Sequence, residues 1–441
     1  MGTLLVALAV FVVTYALISI RRFPRIKIDR PAAALIGAAL MIILGVVSPS
    51  DALGAINIDI LVLLVGMMLL VAGLELCGFF EWVSLRMIKY SRNQFAFLAL
   101  TMVVTGSLSA IVLNDTVVLL FTPIIIRTCR LLKSNPIPFL VAEAIAANIG
   151  SVATVVGNPQ NAYIATRADV SFIEFSAALL PVSAVCMVIA IGMLYVIYRK
   201  DIEKGSAQEF RRKILLEGWR AFEEELVKGD ESTTSGIRKL KERRYGLYAL
   251  LIITAVTFVL FITGHVFGIP IAVSAFLAGV LALFIVPIVT DVRANDMLKG
   301  VDWTIILFFV GLFVVLQGVK DSNLLDEIAD FFPGFGDGDT PTIAWLSALS
   351  ALLSNLVSNV PAVLLLGEMI PVSDTELWLA LASSSTLAGN ATILGAAANV
   401  IVAERAETKG VVINWWKFTL VGFPIAMVTL FVSTVMLEII F

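Results

Sequence analysis

Long apolar runs alternate along this chain with short polar loops. Runs at 4–20, 32–48, 60–74, 176–198, 247–263, 271–289, 303–319 and 418–440 are almost wholly aliphatic or aromatic. About 20 apolar residues cross a bilayer core as a helix, so each run predicts a transmembrane segment. The first has no basic region before it and no small-residue cleavage site after it, and it reads as a retained span. Two apolar stretches break the pattern. Residues 108–120, LSAIVLNDTVVLL, carry Asn114, Asp115 and Thr116 in a row among aliphatic side chains, and 137–167 is interrupted by GSVATVVGNPQNAY. Gly150, Gly157 and Pro159 make one continuous helix implausible there, so two half-helices with an unwound stretch between them are predicted.

Charge in the loops gives orientation, because the Lys/Arg-rich side of short loops faces the cytoplasm. Arg21, Arg22, Arg25, Lys27 and Arg30 follow the first span, which places that loop inside and the N-terminus outside. Loop 49–59 holds Asp51 and Asp59 without a basic residue and belongs outside, and Arg86, Lys89 and Arg92 bring the chain back inside. Arg127, Arg130 and Lys133 then close the segment that began at Gln94, so both of its ends are cytoplasmic. A segment that enters and leaves on one side is a re-entrant hairpin, here 94–133, with Asn114–Thr116 at its tip. Non-helical backbone at that depth needs protein or an aqueous cavity around it.

The chain then repeats itself. At an offset of 245 residues, 57–74 lies over 302–319, Gly66 meets Gly311, Gly73 meets Gly318 and Asn114 meets Asn359. At an offset of 238, Thr154, Gly157 and Asn161 meet Thr392, Gly395 and Asn399. The second hairpin, 341–376, is flanked by Asp321, Asp326, Glu327, Asp330, Asp337 and Asp339 on one side and by Asp374 and Glu376 on the other. Its ends therefore belong outside, and the two copies have opposite topology. The expected fold is an all-α polytopic membrane protein of two inverted-topology repeats, each with a re-entrant helical hairpin and a broken transmembrane helix. The first repeat is 1–199, with its broken helix at 137–167, and the second is 245–441, with its broken helix at 377–404. Between them, 200–244 is a cytoplasmic linker; the stretch 199–244 holds 13 Lys/Arg and 10 Asp/Glu. Secondary transporters are often built this way, with the solute site at the repeat interface.

Composition agrees. The 441 residues are 59% hydrophobic and 15% charged, with a mean hydropathy of +0.97. Soluble domains carry about 25% charged residues, so lipid is the solvent of this surface. The net charge of −3 offers nothing to nucleic acid. Cys77, Cys129 and Cys186 are scattered through apolar segments and read as packing residues, and the single histidine, His265, leaves no room for His-dependent catalysis. There is no HExxH, no nucleophile paired with a base and no Walker lysine loop, so neither an enzyme nor an ATP-driven pump is expected.

The hairpin tips LNDT and SNVP, with the breaks GSVATVVGNPQN and AGNATILGAAAN, resemble the ion transporter superfamily. That superfamily includes ArsB-type arsenite pumps, NhaD-type sodium/proton antiporters and divalent anion:sodium symporters. The resemblance covers almost the whole chain outside the linker. It implies a mobile transport domain moving elevator-fashion against a scaffold, often as a homodimer, in the inner membrane. It also implies that each hairpin helps to form an ion or solute site.

The candidate residues follow. A carboxylate near the bilayer centre costs about 2.5–3.5 kcal/mol on the most lenient scale, so Asp115 is functional by default. It suits a proton carrier, or a sodium ligand beside the Asn114 amide oxygen and the Thr116 hydroxyl. At the second tip, Ser358 and Asn359 precede Pro361, and along the breaks Thr154, Gly157, Asn158 and Asn161 pair with Asn390, Thr392, Gly395 and Asn399. Glu143 is a second intramembrane acid and a candidate proton relay, whereas Glu75 and Glu368 lie near span ends and read as interfacial. The anion symporters resembled here show Ser-Asn-Thr at both tips. This chain has an acid at one tip, lacks the Thr at the other, and has no Lys or Arg evident beside either. That counts against a dicarboxylate. Proton-coupled efflux of arsenite or antimonite is the leading expectation, with H+ or Na+ as coupling ion and no other cofactor. Sodium/proton antiport, sodium-coupled anion symport and a passive channel are the alternatives.

Overall fold

The computed structural model describes residues 2–19, 28–204, 243–332, 334–335 and 341–441. Arg21, Arg22, Arg25, Lys27, Asp337, Asp339 and most of the 200–244 linker, which carry part of the orientation argument, lie outside the described residues. The regular structure among the described residues is helical. Eight of these helices are long and apolar enough to cross a membrane.

The N-terminal part holds α1 (Gly2–Ser19), α2 (Arg30–Ile43), α3 (Pro49–Gly54), α4 (Ile58–Leu76) and α5 (Phe79–Tyr90). Next come α6 (Gln94–Ile111), α7 (Asn114–Leu131), α8 (Ile137–Ser151), α9 (Pro159–Arg167) and α10 (Phe172–Lys204). After the linker follow α11 (Arg244–Phe267), α12 (Ile271–Val289), α13 (Ala294–Lys299), α14 (Trp303–Asp321) and α15 (Leu324–Phe331). The chain closes with α16 (Ile343–Val357), α17 (Asn359–Gly367), α18 (Thr375–Ala388), a 3-10 turn (Gly389–Ala391), α19 (Ala397–Thr408) and α20 (Trp415–Ile440).

One predicted span falls short. The apolar run 32–48 forms a helix of 14 residues that stops before Gly45, whose φ of +71° suits glycine and turns the chain toward α3. At 1.5 Å per residue α2 rises only about 21 Å, less than the bilayer core. Helices α8 and α9 are separated by 152–158, and α18 and α19 by 389–396. Each hairpin is likewise two helices, α6 and α7 parted at Val112 and Leu113, and α16 and α17 parted at Ser358. The arms α6 and α7 are 18 residues each, and α6 is among the eight helices long enough to cross.

Packing partners recur in matched pairs. Helix α4 packs on α12 as α14 packs on α2; α6 lies on α8 as α16 lies on α18; α7 touches α19 as α17 touches α9; and α8 meets α10 as α18 meets α20. Glycine explains how close the first two pairs come. A Cβ on Gly66 would strike the Ala275–Phe276 backbone, and one on Gly311 would lie 2.6 Å from the Ala34 carbonyl carbon. Small residues at such crossings let helix backbones touch, which is where membrane helices gain their packing energy.

Helices α8 and α18 form the centre. Every side chain from Pro138 to Ser151, and from Leu377 to Ala388, is buried. Helices α1, α11, α12 and α20 instead present large apolar side chains outward, among them Leu5, Ile252, Phe284 and Phe431, as lipid-facing elements do. Cys77, Cys129 and Cys186 are buried free thiols, as packing residues should be.

Candidate functional site

The two breaks are held by one device used twice. Asn161 donates from Nδ2 to the carbonyls of Ser151 and Thr154, both at 2.9 Å. Asn399 donates to Gly389 (2.7 Å) and Thr392 (2.9 Å), at the same spacings back along the chain. Unwound backbone leaves carbonyls without helical partners, and in an apolar interior each must find a donor. An asparagine seven and ten residues downstream supplies two. The Thr and Gly of T-x-x-G-x-x-x-N bind the hairpins to the breaks. Thr154 Oγ1 donates to the Ala110 carbonyl at 2.6 Å, and Thr392 Oγ1 to Asn355 Oδ1 at 3.3 Å. The Gly157 carbonyl accepts the Asn114 N–H at 3.0 Å, and the Asn359 amide nitrogen, turned toward the carbonyls, donates to Gly395 at 2.9 Å and Ser385 at 3.0 Å. Glycine is required because a Cβ at 395 would sit 2.6 Å from the Gly389 carbonyl oxygen, and one at 157 would overlap Ser151.

A buried amide network joins the halves. Asn148 accepts from Asn114 Nδ2 (3.3 Å) and donates to Asn390 Oδ1 and Asn399 Oδ1, both at 2.9 Å. In the other direction, Thr386 Oγ1 accepts from Asn158 Nδ2 and Gln160 Nε2 at 3.3 Å each. Asn158 also caps α9 by accepting the Asn161 N–H at 2.8 Å. Thr154, Gly157, Asn158, Asn161, Asn390, Thr392, Gly395 and Asn399 thus hold the breaks and are absent from the cavity wall described next.

Between the two hairpin tips lies a cavity of about 220 Å³. Of the sequence candidates it takes Asn114, Asp115, Ser358 and Asn359. Six helices begin at its wall: α2 at Arg30 and Pro31, α7 at Asn114 and Asp115, α9 at Pro159 and Gln160, α14 by Asp302 and Thr304, α17 at Asn359 and α19 at Ala397. Helix N-termini carry partial positive charge and unsatisfied N–H groups, so the field here favours electron-rich oxygen. Phe308, Phe309, Ile305 and Ile401 supply the apolar part. The absence of a basic side chain near the tips, expected from the sequence, is corrected here: Arg30 lines this cavity and attracts Asp115. Arg30 was read as a topogenic loop residue because nothing local distinguishes it; folding brings it to a tip more than 80 positions away. Asp302 at the rim caps α14 by accepting the Thr304 N–H at 3.0 Å and its hydroxyl at 2.5 Å.

Asp115 also borders a second cavity of about 110 Å³, with Thr116, Glu75, Asp302 and Ile305. Glu75, assigned from sequence to the interface, faces this space. Glu143 lies apart from both cavities, fully buried, its two carboxylate oxygens taking the Thr122 hydroxyl at 3.1 and 3.0 Å. Glu368 is not a lone interfacial acid. It bridges Lys320 at the end of α14 (2.6 Å) and Arg167 at the end of α9 (3.4 Å), and the Tyr163 hydroxyl donates to it at 3.3 Å. Ser358 has φ +78° and ψ 162°, a region populated almost only by glycine, which marks the second tip as strained.

The eight membrane-length helices, the family match and the transporter-named relatives make this a multi-pass membrane transporter, not an enzyme. The chain belongs to the family described as CitMHS, citrate transporter, whose model matches residues 15–377. It is 30% identical over 445 residues to the "46 kDa membrane protein" of Mycobacterium leprae, covering 96% of each chain. It is 30% identical over 449 residues to "Silicon efflux transporter LSI3" of Oryza sativa subsp. japonica, covering 92% of this chain and 91% of that one. The "P protein" of Homo sapiens is 26% identical over 501 residues, matching 96% of this chain and 58% of its own length.

Proposed function

We propose that the protein is a proton-coupled secondary transporter of a small oxyacid, which binds in the cavity between the hairpin tips. The observation that carries the reading is the convergence of six helix N-termini, three amides (Asn114, Gln160, Asn359) and two hydroxyls (Thr304, Ser358) on a space that also holds the Arg30 guanidinium and the carboxylates of Asp115 and Asp302. Such donors suit a solute rich in oxygen lone pairs, and Asp115 supplies a group that can take up and release one proton. The family's description names citrate, an oxygen-rich solute of this kind, and one relative is named a silicon efflux transporter. Arsenous and antimonous acid, taken from the resemblance, belong to the same chemical class and stay in the candidate set.

The matched hydrogen bonds of Asn161 and Asn399 support reading the halves as inverted repeats with re-entrant hairpins. The matched helix pairs support a scaffold of α1, α2, α4, α11, α12 and α14 against a transport unit of α6–α10 and α16–α20. The N-terminus is then outside, the 200–244 linker is cytoplasmic, and a homodimer moves solute by an elevator motion in the inner membrane. Sodium at Asn114 and Asp115 is the competing coupling scheme, and it is less favoured because the Asn114 oxygen already accepts the Asp115 N–H at 2.9 Å.

The test is uptake into proteoliposomes of the full chain with arsenite, antimonite, silicic acid, citrate and succinate, under an imposed pH gradient or sodium gradient. Accumulation of an oxyacid driven by the pH gradient alone is expected. Accumulation that follows sodium and ignores pH would assign the coupling to sodium. Conductive flux without any accumulation would make the protein a channel.

A further inference from the structure

Among the described residues, Arg30 is the one basic side chain on the cavity wall, at the first turn of α2. Its Nε is buried without a hydrogen-bond partner, although a guanidinium has five N–H donors to satisfy. The sequence gives no local reason for it, since Asp29 caps α2 through the Ala32 N–H (3.1 Å) and needs no help. The charged groups facing it can be enumerated among the described residues. Helix α1 has none, α14 contributes Asp302 at the near end and Lys320 and Asp321 at the far end, and α7 contributes Asp115. Asp302 caps α14 through Oδ1, and Asp115 is the carboxylate whose charge acts on the guanidinium; Glu75 shares the adjoining cavity with Asp115 and Asp302.

We propose that Arg30 is the residue that selects the anionic form of the oxyacid, and that Asp115 gates it by protonation. With Asp115 ionised, Arg30 is held by the carboxylate. When Asp115 takes up a proton, its hold on Arg30 weakens and the guanidinium binds an oxyanion group of the solute. The charge in the cavity is the same before and after, because one anion replaces one carboxylate charge and one proton has entered. A monoanion therefore crosses electroneutrally with one proton. A guanidinium suits this role because its planar fork matches carboxylate and related oxyanions in two hydrogen bonds. The assignment rests on the transport reading of the cavity.

The experiment compares the wild type, Arg30→Gln, Arg30→Lys and Asp115→Asn in proteoliposomes. The probes are citrate, succinate and phosphate, with arsenite as an oxyacid uncharged at neutral pH. Arg30→Gln should raise the half-saturating concentration of the anion that the wild type carries by about tenfold or more, the worth of one charge-assisted hydrogen bond, and leave arsenite within about twofold. Arg30→Lys should fall between, and Asp115→Asn should bind the anion at least as well as the wild type but without its dependence on pH. Unchanged anion affinity in Arg30→Gln, or an equal loss for the anion and arsenite, would overturn the assignment. So would a wild type that carries arsenite and no anion. If Arg30→Gln does not fold, Asp115→Asn still decides, since an unaltered pH profile there excludes the gate. A wild type that moves none of the probes removes the transport reading itself.

Discussion

Asn399 offers the sharpest test of how the second break is held. Its side chain is 1% exposed and makes three hydrogen bonds, two as donor to the Gly389 and Thr392 carbonyls and one as acceptor from Asn148. Asn399→Leu keeps the volume and removes all three. It leaves two carbonyls and one amide N–H buried without these partners, and each such group costs about 1–3 kcal/mol. Polar contacts between membrane helices have averaged nearer 0.6 kcal/mol in double-mutant cycles, because the reference state finds other partners. Weighing both, the loss should be about 2–5 kcal/mol. Asn161→Leu removes the two equivalent donor bonds but keeps the backbone N–H bond to Asn158, and its Oδ1 has no partner to lose, so it should cost about 1 kcal/mol less. The three buried free thiols make the assay, since a thiol-reactive dye reports unfolding when Cys77, Cys129 and Cys186 become accessible. Thermal unfolding in detergent should place the midpoints in the order wild type, Asn161→Leu, Asn399→Leu. A midpoint for Asn399→Leu equal to that of the wild type would refute the claim that this amide holds the break.

Ser358→Gly should relieve backbone strain worth about 1–3 kcal/mol, raising the unfolding midpoint, while transport falls because the second tip is no longer held in one conformation. Gly66→Val should prevent α4 from seating on α12, and size-exclusion chromatography should show loss of the monodisperse protein. Lys320→Gln breaks a pair with Glu368 whose lysine is 35% exposed. Solvent screening keeps the stability cost below about 1 kcal/mol, so its thermal midpoint should stay close to that of the wild type. Removing the tie between α14 and the second hairpin should instead change the transport rate, measured as initial uptake.

The tips and breaks were legible because they violate the local pattern. A carboxylate and an amide inside an aliphatic run, and a Thr, Gly and Asn recurring at fixed spacing, stand out whatever the fold. The role of the break residues was less legible. Spacing says that Asn161 and Asn399 are equivalent, but only coordinates reveal that both face their own backbone and not the cavity. Arg30, Gln160, Asp302 and Phe308 were missed for a different reason. Each is ordinary where it stands in the chain, and their shared property is that each lies at the cap or in the first two turns of a helix that starts at the cavity. Helix starts at Arg30 and Pro159, capped by Asp29 and Asn158, were a usable signal, since Asp or Asn followed closely by Pro (Pro31, Pro159) is a strong N-terminal signature. The length of α2 was misjudged because Gly45 and the Ser48–Pro49 cap interrupt an apolar run whose hydropathy never drops.

The most direct test measures proton and solute movement together in proteoliposomes, using a trapped pH dye and a labelled oxyacid, for the wild type and Asp115→Asn. The wild type should move protons whenever solute moves, and Asp115→Asn should exchange labelled for unlabelled solute across the membrane with no proton signal and no uphill accumulation. Proton-linked accumulation that persists undiminished in Asp115→Asn would contradict the placement of coupling at this carboxylate.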